Sequence, residues 1–223
     1  MMTKEIKGLI VLATLVSLLL TSGCFQQSVD YSIVVEYKPT GEIPQMVSPS
    51  QSKSIAIAKF EDARPDQTGI AGAKNPIGNI AIRYNSSRPL AIVVQEAFAK
   101  YFEAAGFKVV KTDFWDLDPN SIQDIATDLL LGGQIKAFWA ENRPDPGQYA
   151  LGGTGFASVK LKVVIIANDK TIIWSGELEG GTTTHNYWNT PSLKEMIDKA
   201  LARAIESTFQ DEGVRSAIAN AIQ

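Results

Sequence analysis

The sharpest periodicity in the chain lies between Leu90 and Phe102. Leu90, Val93, Val94, Ala97, Phe98, Tyr101 and Phe102 stand at the spacing that one face of a helix presents. Pro89, behind Ser87 and Arg88, suits a first helical turn, and Gly106 suits the left-handed residue after a last one. The pattern predicts an amphipathic helix followed at once by a strand, Phe107-Lys108-Val109-Val110, which is an α/β unit. A second stripe, Leu193, Ile197, Ala200, Leu201, Ala204, Ile205 and Phe209, predicts a helix opening near Ser192, with Glu195 completing a capping box. A short helix is expected after Gly213.

Between these helices the pattern changes to that of strands. Leu129–Glu141, Gly155–Asn168 and Thr171–Glu179 are three strand candidates, the last two joined by the tight turn Asn168-Asp169-Lys170. Lys160 and Lys162 alternate with Val159, Leu161 and Val163, so that part of the sheet has one face toward water. Val164-Ile165-Ile166 breaks the alternation and implies cover on both faces. Earlier, Ser54–Phe60 reads as a strand, Glu61–Asn79 as a long loop, and Asn79–Tyr84 as a weaker strand. Asp113–Asp128 is looser, with one short helix from Ser121. The expected fold is of the α+β type: a mixed, mainly antiparallel sheet with helices packed on one face.

The N-terminus follows a different rule. Lys4 and Lys7 precede an apolar run, Leu9 to Leu20, that is too short to span a bilayer, and a small-residue exit follows. Leu20-Thr21-Ser22-Gly23-Cys24 resembles a bacterial lipobox, although leucine usually sits where Thr21 stands. The resemblance implies a signal peptide over 1–23, cleavage between Gly23 and Cys24, and lipidation of Cys24. Acyl chains contribute about 0.8 kcal/mol per buried methylene, and two chains suffice for stable anchoring to a lipid bilayer. Phe25 rather than an aspartate follows the cysteine, which favours the outer membrane. Residues 24–53, punctuated by Pro39, Pro44 and Pro49, are expected to form a lipidated tether. Within it, Tyr31–Tyr37 has the composition of a strand. The remaining 54–223 is expected to be one periplasmic domain.

Composition narrows the chemistry. The 223 residues carry a net charge of −3, which argues against nucleic acid as a partner. One cysteine excludes a disulfide framework and a thiolate zinc site, and one histidine excludes a site needing two imidazoles. His185 lies in a polar stretch with no motif that supplies a nucleophile or an orienting acid. Glu61, Asp62 and Asp66 flank Arg64, as in a local salt bridge around a turn, and lack the spacing of a calcium loop. Asp113, Asp116 and Asp118 also lack the glycine and distal glutamate such a loop needs. Gly152-Gly153-Thr154-Gly155 has no P-loop lysine and precedes a strand rather than a helix. No metal and no cofactor is expected. Tyr149, Tyr187 and Trp188 fall in expected loops and are the candidate interaction surface.

The whole pattern resembles the YajG-like family of bacterial lipoproteins. Its carriers are Asp62-Ala63-Arg64 after the first strand, Ser87-Arg88 before the helix, and Ala104-Ala105-Gly106-Phe107-Lys108-Val109 after it. The hairpin Val159–Glu179 and the tail Gln210-Asp211-Glu212-Gly213-Val214 complete the match. The resemblance implies an outer-membrane lipoprotein with a periplasmic domain. The implied fold is like those of curli-secretion lipoproteins and the N-terminal region of TolB. Fold does not settle function. The expected role is a non-catalytic accessory module that binds an envelope protein. The alternatives are a subunit of a homo-oligomeric export or secretion assembly, and a cell-wall enzyme working through carboxylates.

Overall fold

The computed structural model describes residues 30–48, 50–75, 77–122, 124–144, 153–185 and 190–223. Its strands are β1 (Asp30–Ile33), β2 (Ser54–Lys59), β3 (Glu61–Asp62), β4 (Ala71–Lys74), β5 (Ile80–Ser86), β6 (Lys108–Phe114), β7 (Leu129–Pro144), β8 (Gly153–Ala167) and β9 (Ile172–His185). Helix α1 (Leu90–Ala104) lies between β5 and β6, and α2 (Thr190–Phe209) and α3 (Glu212–Ala221) follow β9. A 3-10 turn, Pro119–Ser121, lies in the segment between β6 and β7.

Strand β7 is the spine of a curled, mixed sheet. Along one edge β8 runs antiparallel to it for its whole length, from Leu129 opposite Ala167 to Pro144 opposite Gly153. Beyond β8 lies β9, also antiparallel. Along the other edge β7 meets three short partners in succession, all parallel: β2 at Leu129–Leu131, β3 at Gln134–Ile135 and β4 at Ala140–Asn142. Outside these, β6 pairs parallel with β2, β5 antiparallel with β4, and β1 parallel with β5. The long ladders are antiparallel as expected, but five of the eight pairings are parallel. Parallel partners come from far apart in the chain, so local patterning does not show them.

The two faces of the sheet are read off alternate residues. Ile55, Ile57, Leu129, Leu131, Val163 and Ile165 point to the inner face, into one core with all three helices. Ala56, Ala58, Leu130, Val164 and Ile166 point to the outer face, into a smaller cluster with Trp115. The break in alternation at Val164–Ile166 therefore does mark cover on both sides. In the inner core Phe60 stacks on Phe98 at 5.1 Å, and Phe209 meets the Phe102 ring edge-on at 5.1 Å. Helix α2 crosses β9 so closely at Gly180 that a Cβ there would lie 2.1 Å from the Ala200 carbonyl oxygen and 2.4 Å from the Ala204 nitrogen. Only glycine fits at that crossing.

Four expectations need correction. Residues 30–48, within the stretch expected to form a tether, belong to the folded unit. Ile33, Val35, Tyr37 and Val47 are buried, and β1 pairs with β5. The prolines do suppress regular structure after Ile33, but buried carboxylates on α2 hold the chain in place of a ladder. Asp198 accepts the Glu36 N–H at 2.9 Å, and Glu206 accepts the Tyr37 hydroxyl and the Thr40 N–H at 3.0 Å each. Burial, then the Glu206 carboxylate beside it, push the Tyr37 hydroxyl far above its ordinary range, so it stays a donor. The loop expected over 61–79 contains β3 and β4. The helix expected from Ser121 is the 3-10 turn ending there. Finally, α2 begins at Thr190, which puts Ser192 inside the helix rather than at its cap.

Candidate functional site

The outer face is covered unlike the inner one. After β6 the chain crosses the sheet as a strap, described over residues 115–122 and 124–127, in which the 3-10 turn is the regular structure among the described residues. The Asp-rich stretch makes this strap by capping its own turns. Asp116 accepts the Ser121 hydroxyl at 2.6 Å and the Asp118 N–H at 3.0 Å, and Asp118 in turn accepts the Asn120 N–H at 2.9 Å. The Trp115 indole N–H donates to the Asp118 carbonyl at 2.9 Å. The Lys170 ammonium donates to the Ile122 carbonyl at 2.5 Å, tying the strap to the β8–β9 turn. Trp115 lies over Gly132, where a Cβ would come within 2.6 Å of the ring.

Between this strap and β6 is a groove of about 510 Å³, a size typical of ligand-binding clefts. Ala56, Leu130 and Trp115 form its floor, Val110, Ile122 and Ile125 its walls, and Asp113, Asp116 and Asp124 its polar rim. The small side chain of Ala56 on β2 leaves the hollow, because it fills less of the outer face than Ile55 and Ile57 fill of the inner one. Val110 is 44% exposed and Phe114 is 55% exposed beside it. Among the described residues that line it there is no Lys, Arg or His. The Ser121 hydroxyl and the Asp118 N–H hold the Asp116 carboxyl below its usual range, so that part of the rim is ionised at neutral pH.

The residues singled out from sequence are mostly scattered. Gly23, Cys24, Tyr149, Tyr187 and Trp188 lie outside the described residues. Asp113 and Asp116 do reach the groove, but Asp116 and Asp118 are committed to their turns. Among the described residues no three His, Cys, Asp or Glu side chains are grouped to hold a metal ion. Arg64 is buried and paired with Asp62 through Nε at 2.8 Å and a second nitrogen at 2.9 Å, and it also donates to the Gly69 carbonyl at 2.7 Å. Asp66 accepts the Thr68 N–H at 2.8 Å, and Glu61 accepts the Gln134 amide at 2.5 Å. Asp62 and Asp66 thus stabilise a turn, and Glu61 bridges the β3–β7 pairing. His185 ends β9 with its Nδ1 3.4 Å from the Thr154 hydroxyl. Gly153, Thr154 and Gly155 are part of β8.

Two buried polar groups had no signal in the sequence. Glu141 is held by the Lys74 ammonium at 3.0 Å, the Trp139 indole N–H at 3.0 Å and the Arg143 guanidinium. Burial raises its pKa, but the hydrogen bonds from Arg143, Lys74 and Trp139 outweigh that and leave it lowered. Asn142 is 1% exposed, and its side-chain oxygen and nitrogen have no hydrogen-bond partner among the described residues.

Comparison with known proteins bears on the fold alone. No family model matches the chain, and no curated protein matches it. Among solved structures, a Xanthomonas campestris protein of the DUF330 family is 14% identical, with a TM-score of 0.53 over 86% of this chain and 96% of its own. A Helicobacter pylori protein described as a neuraminyllactose-binding hemagglutinin homologue is 9% identical, with a TM-score of 0.46 over 85% and 97%. A lipoprotein from Neisseria meningitidis is 12% identical, with a TM-score of 0.32 over 71% and 99%. The α+β fold is thus similar to that of the DUF330 protein across nearly the whole of both chains. No helix among the described residues is long and apolar enough to cross a membrane.

Proposed function

We propose that the chain is a lipid-anchored bacterial envelope lipoprotein of YajG-like type. In this reading its domain faces the periplasm from the outer membrane and acts as a non-catalytic interaction module. The anchor rests on Leu20–Cys24 behind a short apolar run, and the outer membrane on Phe25. The observation that carries the interaction role is the groove between β6 and the strap. It is an apolar hollow with an acidic rim at the sheet edge that β6 forms among the described residues, and the Asp116 carboxylate on that rim is engaged in its turn. The TolB-like and curli-type kinship belongs to the same proposal. A second reading, a subunit of a homo-oligomeric export assembly, is favoured by β1, β6 and β9, each of which has one strand partner among the described residues.

The anchor is tested by Cys24→Ala in the native host, with metabolic palmitate labelling and membrane fractionation. Loss of label and release from the outer-membrane fraction are the expected result. A labelled or still membrane-bound variant contradicts the anchor at Cys24.

A further inference from the structure

Three features meet at the β6 side of the molecule, and together they specify what the groove takes. The first is the edge itself. β6 pairs with β2 on one side and with no strand on the other among the described residues. An open edge presents a row of main-chain donors and acceptors to another chain, and proteins blunt it with brevity, proline, bulges or charged side chains. β6 has seven residues and no proline or glycine, and it carries Lys108 and Lys111 and one irregularity in its pairing with β2. The second is apolar exposure: Val110 and Phe114 stand on the surface next to the floor of Ala56, Leu130 and Trp115. The third is charge. The Asp113 and Asp124 carboxylates make no side-chain hydrogen bond or ion pair among the described residues, and Asp116 joins them on the rim with no basic residue among the described residues lining the groove. The lysine nearest the middle of β6, Lys111, pairs with Glu96 at 3.8 Å, away from the groove.

We propose that β6 and the groove bind an extended segment of another protein by strand addition. The segment carries apolar side chains flanked by Lys or Arg on one face. Main-chain hydrogen bonds to β6 supply affinity, and side chains on alternate residues supply selectivity. The apolar centre covers Val110 and enters the hollow over Trp115. The flanking cations meet Asp113, Asp116 and Asp124, which steers the encounter and rejects acidic segments. The inference rests on the interaction-module reading and names the partner's chemistry.

The test uses the full chain in lipid nanodiscs and a fluorescein-labelled heptapeptide, Lys-Thr-Val-Thr-Phe-Thr-Arg. Its odd positions form the basic–apolar face. Two comparison peptides replace both basic residues by Glu, or the central Thr by Pro. Fluorescence anisotropy is expected to show saturable binding of the first peptide only, with protection of the β6 amides in hydrogen exchange. Asp113→Lys with Asp124→Lys should weaken that binding about tenfold and admit the Glu peptide. Val110→Lys, at an exposed position, should abolish it with the thermal melt unchanged. Equal binding of the three peptides, or indifference to the variants, would overturn the proposal. So would a second copy of the chain occupying β6, seen as dimerisation that Val110→Lys abolishes. A photo-cross-linker that captures an envelope protein from another face and none from position 110 overturns the groove and spares the module reading.

Discussion

The two faces of the sheet are covered on different terms. The inner face carries Ile, Leu and Val under three helices, with Phe60, Phe98, Phe102 and Phe209 interlocked between them. The outer face carries Ala56 and Ala58 from the same strand, β2, under a strap held by turns. One strand thus serves two ends: its large residues build the core, and its small ones leave a hollow. Packing is concentrated on one side and an open groove lies on the other.

Breaking the inner side has the largest effect. Phe209→Ala removes a ring that touches Phe98, Tyr101, Phe102 and Trp174, and should cost about 3–5 kcal/mol in urea denaturation. Glu206→Ala comes next. It leaves the Tyr37 hydroxyl and the Thr40 N–H without their acceptor and should cost about 2–3 kcal/mol, with exchange of the Thr40 amide rising first. A loss confined to surface values, below about 0.5 kcal/mol, would mean residues 36–40 are not held by α2.

Acid sharpens the contrast, because aspartates on the two sides titrate with opposite sign. Burial raises the Asp198 pKa despite the Glu36 N–H, Lys194 and Lys38 around it. Its contribution is therefore fully present below its unfolded pKa near 3.8 and is lost as pH rises through the raised value. Asp128, beside the outer cluster, is lowered mainly by the Ser54 hydroxyl. Its contribution is present above 3.8 and is lost as pH falls through the depressed value. Melts from pH 3 to 7 should show Asp198→Asn gaining on the native chain as pH rises above about 4, and Asp128→Asn losing on it as pH rises from 3 to about 4. Parallel curves for all three proteins would contradict the assignment. The smallest effects belong to the groove itself: Val110→Lys and Asp113→Lys should move stability by no more than about 0.5 kcal/mol, and alter binding alone.

The sequence revealed local periodicity well. The stripe from Leu90 to Phe102 is α1, Gly106 takes φ +99° behind it, and the hairpin of β8 and β9 lies where its alternation put it. It did not reveal what depends on distant partners. β3 and β4 are two and four residues long and exist because β7 offers them an edge. Val35, Tyr37 and Val47 stand in a stretch that its prolines make read as a tether, yet they are buried in the main core with residues far away in the chain. The candidate site was legible in fragments only. The alternation Asp113-Phe114-Trp115-Asp116-Leu117-Asp118 was visible, and read for metal it yields nothing. Its meaning comes from Ala56 and Leu130, which are small or ordinary core residues until the fold sets them under Trp115.

The central claim, that the weakly covered side is where this protein meets its partner, is tested most directly by site-specific photo-cross-linking in living cells. A benzophenone amino acid would replace Val110, or Ile172 on β9 as an exposed control, and the cross-linked peptide would be sequenced. The account predicts one recurrent envelope protein at position 110, joined through a basic and apolar extended segment, and nothing recurrent at position 172. Capture through an acidic segment, or equal capture at both positions, would contradict it.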